Sequence, residues 1–266
     1  MKKTIIWVLT LCLFSTLLFS SCKKNKELDT DITSAEDQSE GELVYDQIFK
    51  QVDQAAGDEG LKKGAYPIIT KDTFANPKTM RINYGTSNYL CLDGNYRRGL
   101  ILVSWTGRYR DAGTAIQVGF DGFYQNNNLV EGTKSITNNG PNALGELSYT
   151  IVVNGKITNP SLQSHSWNSN RTRTWVAGQN TLTALDDVYE ITGTTSGTNR
   201  NGINYAAQIT TKLRVELACD WRIVSGVIEV TPEGKNLRKI DFGNGACNGL
   251  VTVSVNGRTK TFSRKK

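Results

Sequence analysis

The chain has 266 residues and a formal net charge of +6, and glycine (25 residues) greatly outnumbers proline (5 residues). It contains one histidine, His165, and five cysteines without C-x-x-C spacing, which argues against a zinc site of the usual Cys/His type. Nucleophile elbows, Walker loops, metalloprotease helices and calcium loops are absent as motifs. The sequence therefore predicts no cofactor and no metal, and it identifies no catalytic residue.

Residues 1–21 have the pattern of a secretory signal peptide. Two lysines near the start are followed by a mostly apolar run over residues 4–19, and two serines then precede Cys22. The apolar run is near the lower length limit for a membrane span. An uncleaved transmembrane anchor is therefore the alternative to a cleaved signal.

The phrase LLFSSC, which ends at Cys22, resembles the lipobox of bacterial lipoproteins. In that family the cysteine becomes the lipidated first residue of the mature chain, and Leu usually stands three positions before it, where this chain has Phe19. The resemblance implies a membrane anchor at Cys22, because several acyl chains on one residue hold firmly. Lys23 stands where the enteric signal for inner-membrane retention has Asp. The resemblance thus implies the outer membrane, on its periplasmic face or at the cell surface.

Charge divides the remaining chain into an acidic arm and a basic domain. Residues 27–60 contain eleven acids and one base, Lys50, whereas residues 61–266 contain fourteen acids and 25 bases. The basic part suggests a surface for an anionic glycan, a lipid head group or an envelope protein. The alternatives are scattered bases that only keep the surface soluble, or an arm that neutralises its own domain. Nucleic acid is not an expected partner, because an exported, anchored protein seldom meets it.

Residues 22–60 are predicted to form an acidic tether followed by one helix, from about residue 35 to residue 56. Ser34 is the expected cap, and Gly57 ends the pattern. Apolar side chains recur at helical spacing at Leu43, Tyr45, Ile48, Phe49 and Val52. We expect this stripe to dock on the domain that follows, because so short a stripe does not favour a coiled coil.

Residues 61–266 are predicted to form an all-β domain. Alternating segments such as MRINYG, GLILVSWTGRY and ELSYTIVVNGKIT are separated by turn signals roughly every ten residues. The predicted fold is an antiparallel meander that forms a β-sandwich or a strongly curved sheet, preceded by one N-terminal helix. Within it, Asn154-Gly155 is a candidate type I′ hairpin turn.

Two segments of the domain resemble each other, which raises an internal duplication as one interpretation. MRINYGTSNYLCLDGNYRRGLILVSWTGR aligns with RKIDFGNGACNGLVTVSVNGR, since both pass from a basic-apolar start through Gly and Cys to a strand and Gly-Arg. The alternative is that hairpin-rich β chains share this appearance without duplication.

Three cysteines remain after the signal and the lipidation site: Cys91, Cys219 and Cys247. An oxidising compartment permits a disulfide, and an odd number leaves one thiol over. The predicted pair is Cys219 with Cys247, because each adjoins the end of a predicted strand.

The segment WNSNRTRTW, residues 167–175, is the candidate ligand-binding stripe. Read as a strand, it places four side chains on one face: Trp167, Arg171, Arg173 and Trp175. Such a face can stack sugar rings or hold an anionic group, with a cation–π attraction of about 0.5–1 kcal/mol at an exposed site. The alternatives are a covered core in which the Arg stems shield the Trp rings, or a segment that is not a strand at all. The same interpretations apply to Trp105, Arg108 and Arg110.

A hydrolase that uses two carboxylates is a second functional interpretation. The adjacent Asp186 and Asp187 point to opposite faces of an extended segment, so this pair cannot flank one bond. Nothing in the sequence pairs Glu131, Glu146 or Asp241 with another acid. His165 lies in a Ser-rich turn, where we expect it to be solvated rather than catalytic.

Several phrases together are similar to an uncharacterised group of exported lipoproteins common in Bacteroidota. They are TGRYRDAGTAI, WNSNRTRTW, GTNRNG, VSGVIEVTPEGK and DFGNGACNG. The resemblance implies a lipid-anchored β protein and no known catalytic residues. The sequence as a whole favours a non-catalytic binding or structural module of the cell envelope. A polysaccharide-active hydrolase and a subunit of an envelope complex are the alternatives.

Overall fold

The structure is a computed structural model that describes residues 28–57, 66–220 and 222–263. These residues form one α-helix and an antiparallel sheet of 14 strands, which confirms the predicted all-β class with a preceding helix. The predicted signal peptide, residues 1–21, and the predicted lipidation site Cys22 lie outside the described residues. Among the described helices, none is both long enough and apolar enough to cross a membrane.

The helix α1 spans Thr33–Ala56. The strands are β1 Ile68–Asp72, β2 Lys78–Asn83, β3 Tyr89–Leu90, β4 Tyr96–Trp105, β5 Ala115–Gln125, β6 Asn128–Pro141, β7 Leu147–Thr158, β8 Ser164–Ala177, β9 Val188–Thr198, β10 Asn204–Glu216, β11 Arg222–Pro232, β12 Arg238–Asn244, β13 Leu250–Val255 and β14 Arg258–Ser263. A 3-10 turn, Leu217–Cys219, connects β10 to β11.

The strands form one continuous meander in chain order from β1 to β14, with the short β3 paired to β4 beside the main path. The described strands therefore form one continuous hydrogen-bonded sheet, and its edge strands β1 and β14 do not pair with each other. The helix contacts strands as far apart as β5, where Gln125 bonds to Gln47, and β14, where Lys260 bonds to Glu36. Neighbouring strands lie about 4.8 Å apart, so a flat sheet could not bring both strands to one helix. The sheet curves around α1.

The core fills the space between α1 and the concave face of the sheet. Strands β7 and β8 show why: their residues alternate between buried and exposed along most of each strand, as expected when one face packs and the other meets water. The apolar stripe of the helix, including Tyr45, Ile48 and Phe49, belongs to the same buried cluster as the inward residues of the strands. The helix therefore docks on the domain that follows it.

The helix starts slightly differently from the prediction. Ile32 occupies the cap position without a side-chain cap, and Oδ1 of Asp31 accepts the backbone N–H of Thr33 at 2.9 Å. Ser34 lies inside the helix, where its Oγ accepts a hydrogen bond from Asn199 at 2.8 Å. The predicted cap at Ser34 is wrong because this hydroxyl joins the helix to the sheet instead.

The predicted hairpin turn at Asn154-Gly155 is also wrong. Strand β7 runs straight through both residues, with Asn154 opposite Asn168 and Gly155 opposite Trp167. Gly155 serves packing rather than turning: a Cβ at this position would overlap the Tyr45 ring and its hydroxyl. Glycine is needed here because the helix approaches the sheet closely at this point.

The acidic arm forms ion pairs with bases of the domain. This agrees with the alternative in which the arm neutralises its own domain. The ion pairs join Asp29 to Arg238, Asp31 to Lys235, Glu36 to Lys260, Asp37 to Arg200 and Glu42 to Arg171. Although burial opposes its ionisation, hydrogen bonds from Lys235 and Thr33 lower the pKa of Asp31 well below its usual range. Much of the positive charge expected to face a partner is therefore used inside the molecule.

Cys219 and Cys247 form a disulfide with their Cα atoms 5.3 Å apart, which is the pairing that the sequence favours. It joins the 3-10 turn after β10 to the segment between β12 and β13. Cys91 is free and partly buried. The two similar sequence segments lie toward opposite edges of one continuous sheet, so internal duplication stays a prediction.

Candidate functional site

The stripe of residues 167–175 lies on β8 and faces the helix. Its four candidate side chains are buried: Trp167 is 3% exposed, Arg171 4%, Arg173 8% and Trp175 2%. The stripe is therefore a covered core over most of its length, not an open face. The interpretation as an exposed ligand platform is corrected accordingly, because α1 occupies the space in which a ligand would lie.

Arg171 is held by the helix. Its Nη2 donates hydrogen bonds to the carboxylate of Glu42 and to Oγ1 of Thr195, the latter at 2.6 Å. Close by, the Trp167 ring packs beneath Gly41 of the helix, where a Cβ would lie only 3.1 Å from the ring. Both side chains thus fix where α1 docks on the sheet.

Arg173 lies in a cage of aromatic rings instead of an ion pair. Its guanidinium carbon is 4.5 Å from the ring centre of Tyr189 and 5.0 Å from that of Phe49. The rings of Tyr109 and Tyr149 complete the cage, and Arg173 donates a hydrogen bond to the Tyr109 hydroxyl. No carboxylate of the described residues forms an ion pair with it. Cation–π attraction therefore stabilises this buried charge.

An open cleft of about 490 Å³ lies at the end of the sheet where α1 finishes. The helix, the β4–β5 loop, the β8–β9 loop and the turn after β10 form its walls. Its lining residues are Phe49, Asp53, Arg108, Tyr109, Arg110, Asp111, Trp175, Ala184, Asp187, Tyr189 and Leu217. Three rings of the Arg173 cage, those of Phe49, Tyr109 and Tyr189, form part of this lining. A pocket of this volume suits a small ligand.

Two sequence motifs meet at the cleft. Arg110 lies over Trp175, with its guanidinium carbon 4.4 Å from the ring centre. The same guanidinium donates hydrogen bonds to the carbonyl oxygens of Gln179 at 2.5 Å and Thr181 at 3.3 Å. Arg110 therefore ties the β8–β9 loop to the β4–β5 loop. Of the predicted site residues, Trp175 borders the cleft, whereas Trp167 and Arg171 lie away from it.

Asp187 gives the cleft an unusual carboxyl group. The residue is only 5% exposed, and its Oδ1 accepts a hydrogen bond from Nε1 of Trp175 at 3.2 Å. Burial raises the pKa of Asp187 to about 6; the Trp175 hydrogen bond opposes this shift, and the charges of Asp186 and Asp53 add to it. At near-neutral pH this group can therefore both accept and donate protons or hydrogen bonds.

Replacement of Asp187 by Asn is expected to change how stability depends on pH. Between the ordinary pKa of 3.8 and the raised value of about 6, the folded state keeps a proton that the unfolded state has released. Wild-type stability therefore falls with rising pH across this window, and the variant lacks that fall. At pH 7 we expect Asp187→Asn to be more stable by about 1–2 kcal/mol, a value reduced for screening at the open cleft.

Urea unfolding of both proteins from pH 4 to pH 7 measures this difference. Asp121→Asn, at an exposed position on β5, is the matched control and should stay parallel to wild type. A stability difference between Asp187→Asn and wild type that stays constant over the whole range contradicts the buried-carboxyl interpretation.

Most of the cleft has no local signal in the sequence. Asp53 and Tyr189 lie in no functional motif, Tyr109 lies within the phrase TGRYRDAGTAI, and the sequence presents Asp187 only as the neighbour of Asp186. The structure separates these two acids: Asp186 accepts a hydrogen bond from Thr181 at 2.9 Å, while Asp187 turns toward Trp175. The sequence signal for the cleft is the second Trp/Arg motif, at residues 105–110. Like residues 167–175, this motif can be interpreted either as a ligand-binding face or as a covered core.

His165 is buried, so the expectation of a solvated side chain is wrong. It lies with Asp37 and Glu40 in a group whose ligand atoms are within 4.8 Å of one another, close enough to consider a metal ion. However, Arg200 donates to both oxygens of Asp37, at 2.7 and 2.6 Å. A guanidinium in this place disfavours a second cation. The group is better explained as an ion pair that fastens the start of α1.

Exposed apolar side chains lie at the tips of loops on the same end of the sheet as the cleft. Antiparallel pairing places the β1–β2, β6–β7 and β8–β9 loops there together. The exposed side chains are Phe74 (100%), Leu144 (81%), Leu182 (106%) and Leu185 (69%). Apolar groups gathered at one end of a protein are a common feature of interaction surfaces.

No protein-family model matches the chain, and neither a curated protein nor a solved structure is similar to it. The resemblance to exported lipoproteins therefore stays a prediction. Function is inferred from the chemistry of the cleft and from the sequence of the N-terminus.

Proposed function

We propose that the protein is a lipid-anchored, non-catalytic binding module of the cell envelope, and that its cleft holds a sugar-sized ligand. The cleft is the observation that carries the proposal. An aromatic floor, two arginines at the rim and a carboxyl group that can donate or accept meet in one open space. Rings stack on the apolar faces of sugars, and the polar groups hydrogen-bond to hydroxyls, so the lining matches a saccharide.

The geometry of the helix supports a cleft that faces away from the anchor. The first turn of α1 lies beside the β9–β10 loop, whereas Phe49 and Asp53 near its last turn border the cleft. A helix of 24 residues is about 36 Å long. The eleven residues from Cys22 to Thr33 reach at most about 40 Å when extended. An anchored protein would thus present its cleft to the surroundings rather than to its own membrane.

Filling the cleft tests the proposed function. Ala184 lies on the rim, so Ala184→Trp is expected to weaken saccharide binding at least tenfold, since the indole occupies ligand space. The matched control is Ala143→Trp, on an exposed loop outside the lining. The probe is an array of neutral and anionic glycans with the full chain. Equal glycan binding by the two variants, or binding of no glycan by wild type, would contradict a saccharide site in the cleft.

Cys22→Ser is expected to release the protein from membranes, because the lipid on this residue is the proposed anchor. Fractionation of cells that express wild type or variant measures the membrane-bound share. Cys91→Ser, at the free thiol of the domain, is the matched control and should stay membrane-bound. A Cys22→Ser protein that remains in the membrane fraction would mean that the apolar segment is retained as a transmembrane helix.

A polysaccharide hydrolase is the second candidate, and the pair Asp187 and Asp53 supports it. Both line the cleft, and a carboxyl with a pKa of about 6 suits a proton donor beside a second carboxyl group. Release of reducing sugar from polysaccharides, abolished by Asp187→Asn and by Asp53→Asn, would establish this activity. If the protein binds polysaccharides but releases no reducing sugar from any of them, the hydrolase is contradicted and the non-catalytic binding module stands.

A subunit of an envelope complex is the third candidate, supported by the apolar loop tips around the cleft. A double replacement, Leu182→Ser with Leu185→Ser, should then abolish recovery of a defined partner after cross-linking in cells. If the protein is recovered as an isolated chain with or without these leucines, the complex is not supported.

A further inference from the structure

The convex face of the sheet carries a groove that is separate from the cleft. It crosses β2, β4, β5 and β6 and has a volume of about 440 Å³. The side chains that line it on this outer face are Thr79, Arg81, Leu102, Ser104, Gln117 and Thr133, with Gly119 at the centre. Register confirms the arrangement, since Gly119 lies opposite Leu102 on one side and Thr133 on the other.

Gly119 is the last residue of β5 that pairs with β6 before a register shift. Glycine inside a strand weakens the strand, and it is usually kept for a positive φ or for a close contact. The other strand glycines of the described residues have one or both of these features, as Gly132 and Gly155 illustrate. At Gly119 the backbone is ordinary, and a Cβ would meet nothing within 4 Å. A strand glycine often marks a bulge or a place where another molecule approaches the backbone closely, and the open space over Gly119 leaves room for such an approach.

The charge of the groove indicates the kind of molecule. Of the described residues that line it, Arg81 is the one that carries a charge, and it forms no ion pair with a described carboxylate. The other polar side chains are hydroxyls and one amide, which bond to hydroxyl groups. The groove also lies on a sheet face, not at an edge, so it offers no backbone pairing to a peptide strand.

We propose that this groove binds a strand of anionic polysaccharide, with a carboxylate or sulfate on Arg81 and a sugar ring over Gly119. This site goes beyond the cleft and does not depend on the cleft or on the lipid anchor. The missing side chain at position 119 lets the ring approach the sheet. The hydroxyls of Thr79, Ser104 and Thr133 border the path of the strand.

Binding of four polymers to the full chain in detergent tests the proposal. The probes are polygalacturonate and dextran sulfate, with neutral dextran and polyglutamate as the uncharged and non-sugar controls. We expect wild type to bind at least one of the two anionic polysaccharides, and to bind neither dextran nor polyglutamate comparably. Uronate and sulfate are thereby distinguished as the source of the charge.

Two variants and two matched controls locate the site. Gly119→Val fills the groove and is expected to weaken binding at least tenfold while raising Tm by a few degrees, because valine favours the strand. Arg81→Gln should weaken binding about tenfold. Ala206→Val, which also introduces valine, and Lys156→Gln, which also removes one positive charge, lie on the outer face away from the groove and should change affinity less than twofold.

Several results overturn the proposal. They are binding of neither anionic polysaccharide, equal binding of polyglutamate, and equal effects of the variants and their controls. Ala184→Trp weakens the binding of glycans held in the cleft, but it should leave the binding of polygalacturonate and dextran sulfate in the groove unchanged. If that variant abolishes it, the polysaccharide is a ligand of the cleft, and the groove on the convex face is not its site.

Discussion

Glu42→Ala is expected to lower the free energy of unfolding by about 3–5 kcal/mol, because it leaves the guanidinium of Arg171 buried without a counter-charge. Glu42 and Arg171 are 8% and 4% exposed at their side chains, so water cannot replace the lost partner. Urea unfolding measures this difference in unfolding free energy, provided that wild type and variant have the same m-value, the slope of the unfolding free energy against urea concentration.

Two further variants provide the comparison for this prediction. Glu190→Ala breaks an exposed pair with Lys212 and should cost less than about 1 kcal/mol. Glu42→Leu with Arg171→Met removes both charges and should recover most of the loss, since an apolar pair needs no counter-charge. If Glu42→Ala is no more harmful than Glu190→Ala, the pair does not hold the helix in place.

Gly155→Val is expected to cost about 3 kcal/mol, because the new side chain overlaps the Tyr45 ring where α1 packs closely on the sheet. The Tyr45 hydroxyl donates to the carbonyl of Glu131 at 2.8 Å, so the ring cannot move aside without losing a hydrogen bond. Thermal unfolding measures the change.

The same substitution elsewhere in the sheet provides the control. Gly119→Val places valine over open space and is expected to raise Tm, so the two glycines should respond with opposite signs. In the background of Gly155→Ala, Tyr45→Phe removes the overlapping hydroxyl and should restore part of the lost stability. Similar effects of valine at both positions would show that strand preference, not helix contact, decides the outcome.

Much of the fold could be predicted because its signals are local. The helix shows apolar residues at helical spacing, and the strands alternate along most of their length, so both classes follow from periodicity. Asn154-Gly155 shows where this fails. The dipeptide favours a tight turn, but the contact with Tyr45, more than a hundred residues earlier, uses the glycine for packing.

The site was harder to predict, because a strand reveals which residues share a face but not what covers that face. The stripe from Trp167 to Trp175 alternates as expected, yet the helix lies over it and only its last ring borders the cleft. The acidic arm held the relevant information: its charge is opposite to that of the domain, as expected of two segments that pack together. Asp187 had no local signal, since its environment is made by Trp175 and two loops.

The order of residues along the chain has a consequence for how the molecule assembles. Strands pair with their immediate neighbours in sequence, so the meander can form progressively through short loops. The helix is synthesised before the sheet. Asp29, just before the helix, forms its ion pair with Arg238, which follows 209 residues later in the chain. Until the last strands arrive, the apolar side of this helix has no complete surface to cover it. A nascent chain therefore exposes an apolar helix face near its N-terminus, and this is the segment that a chaperone would protect.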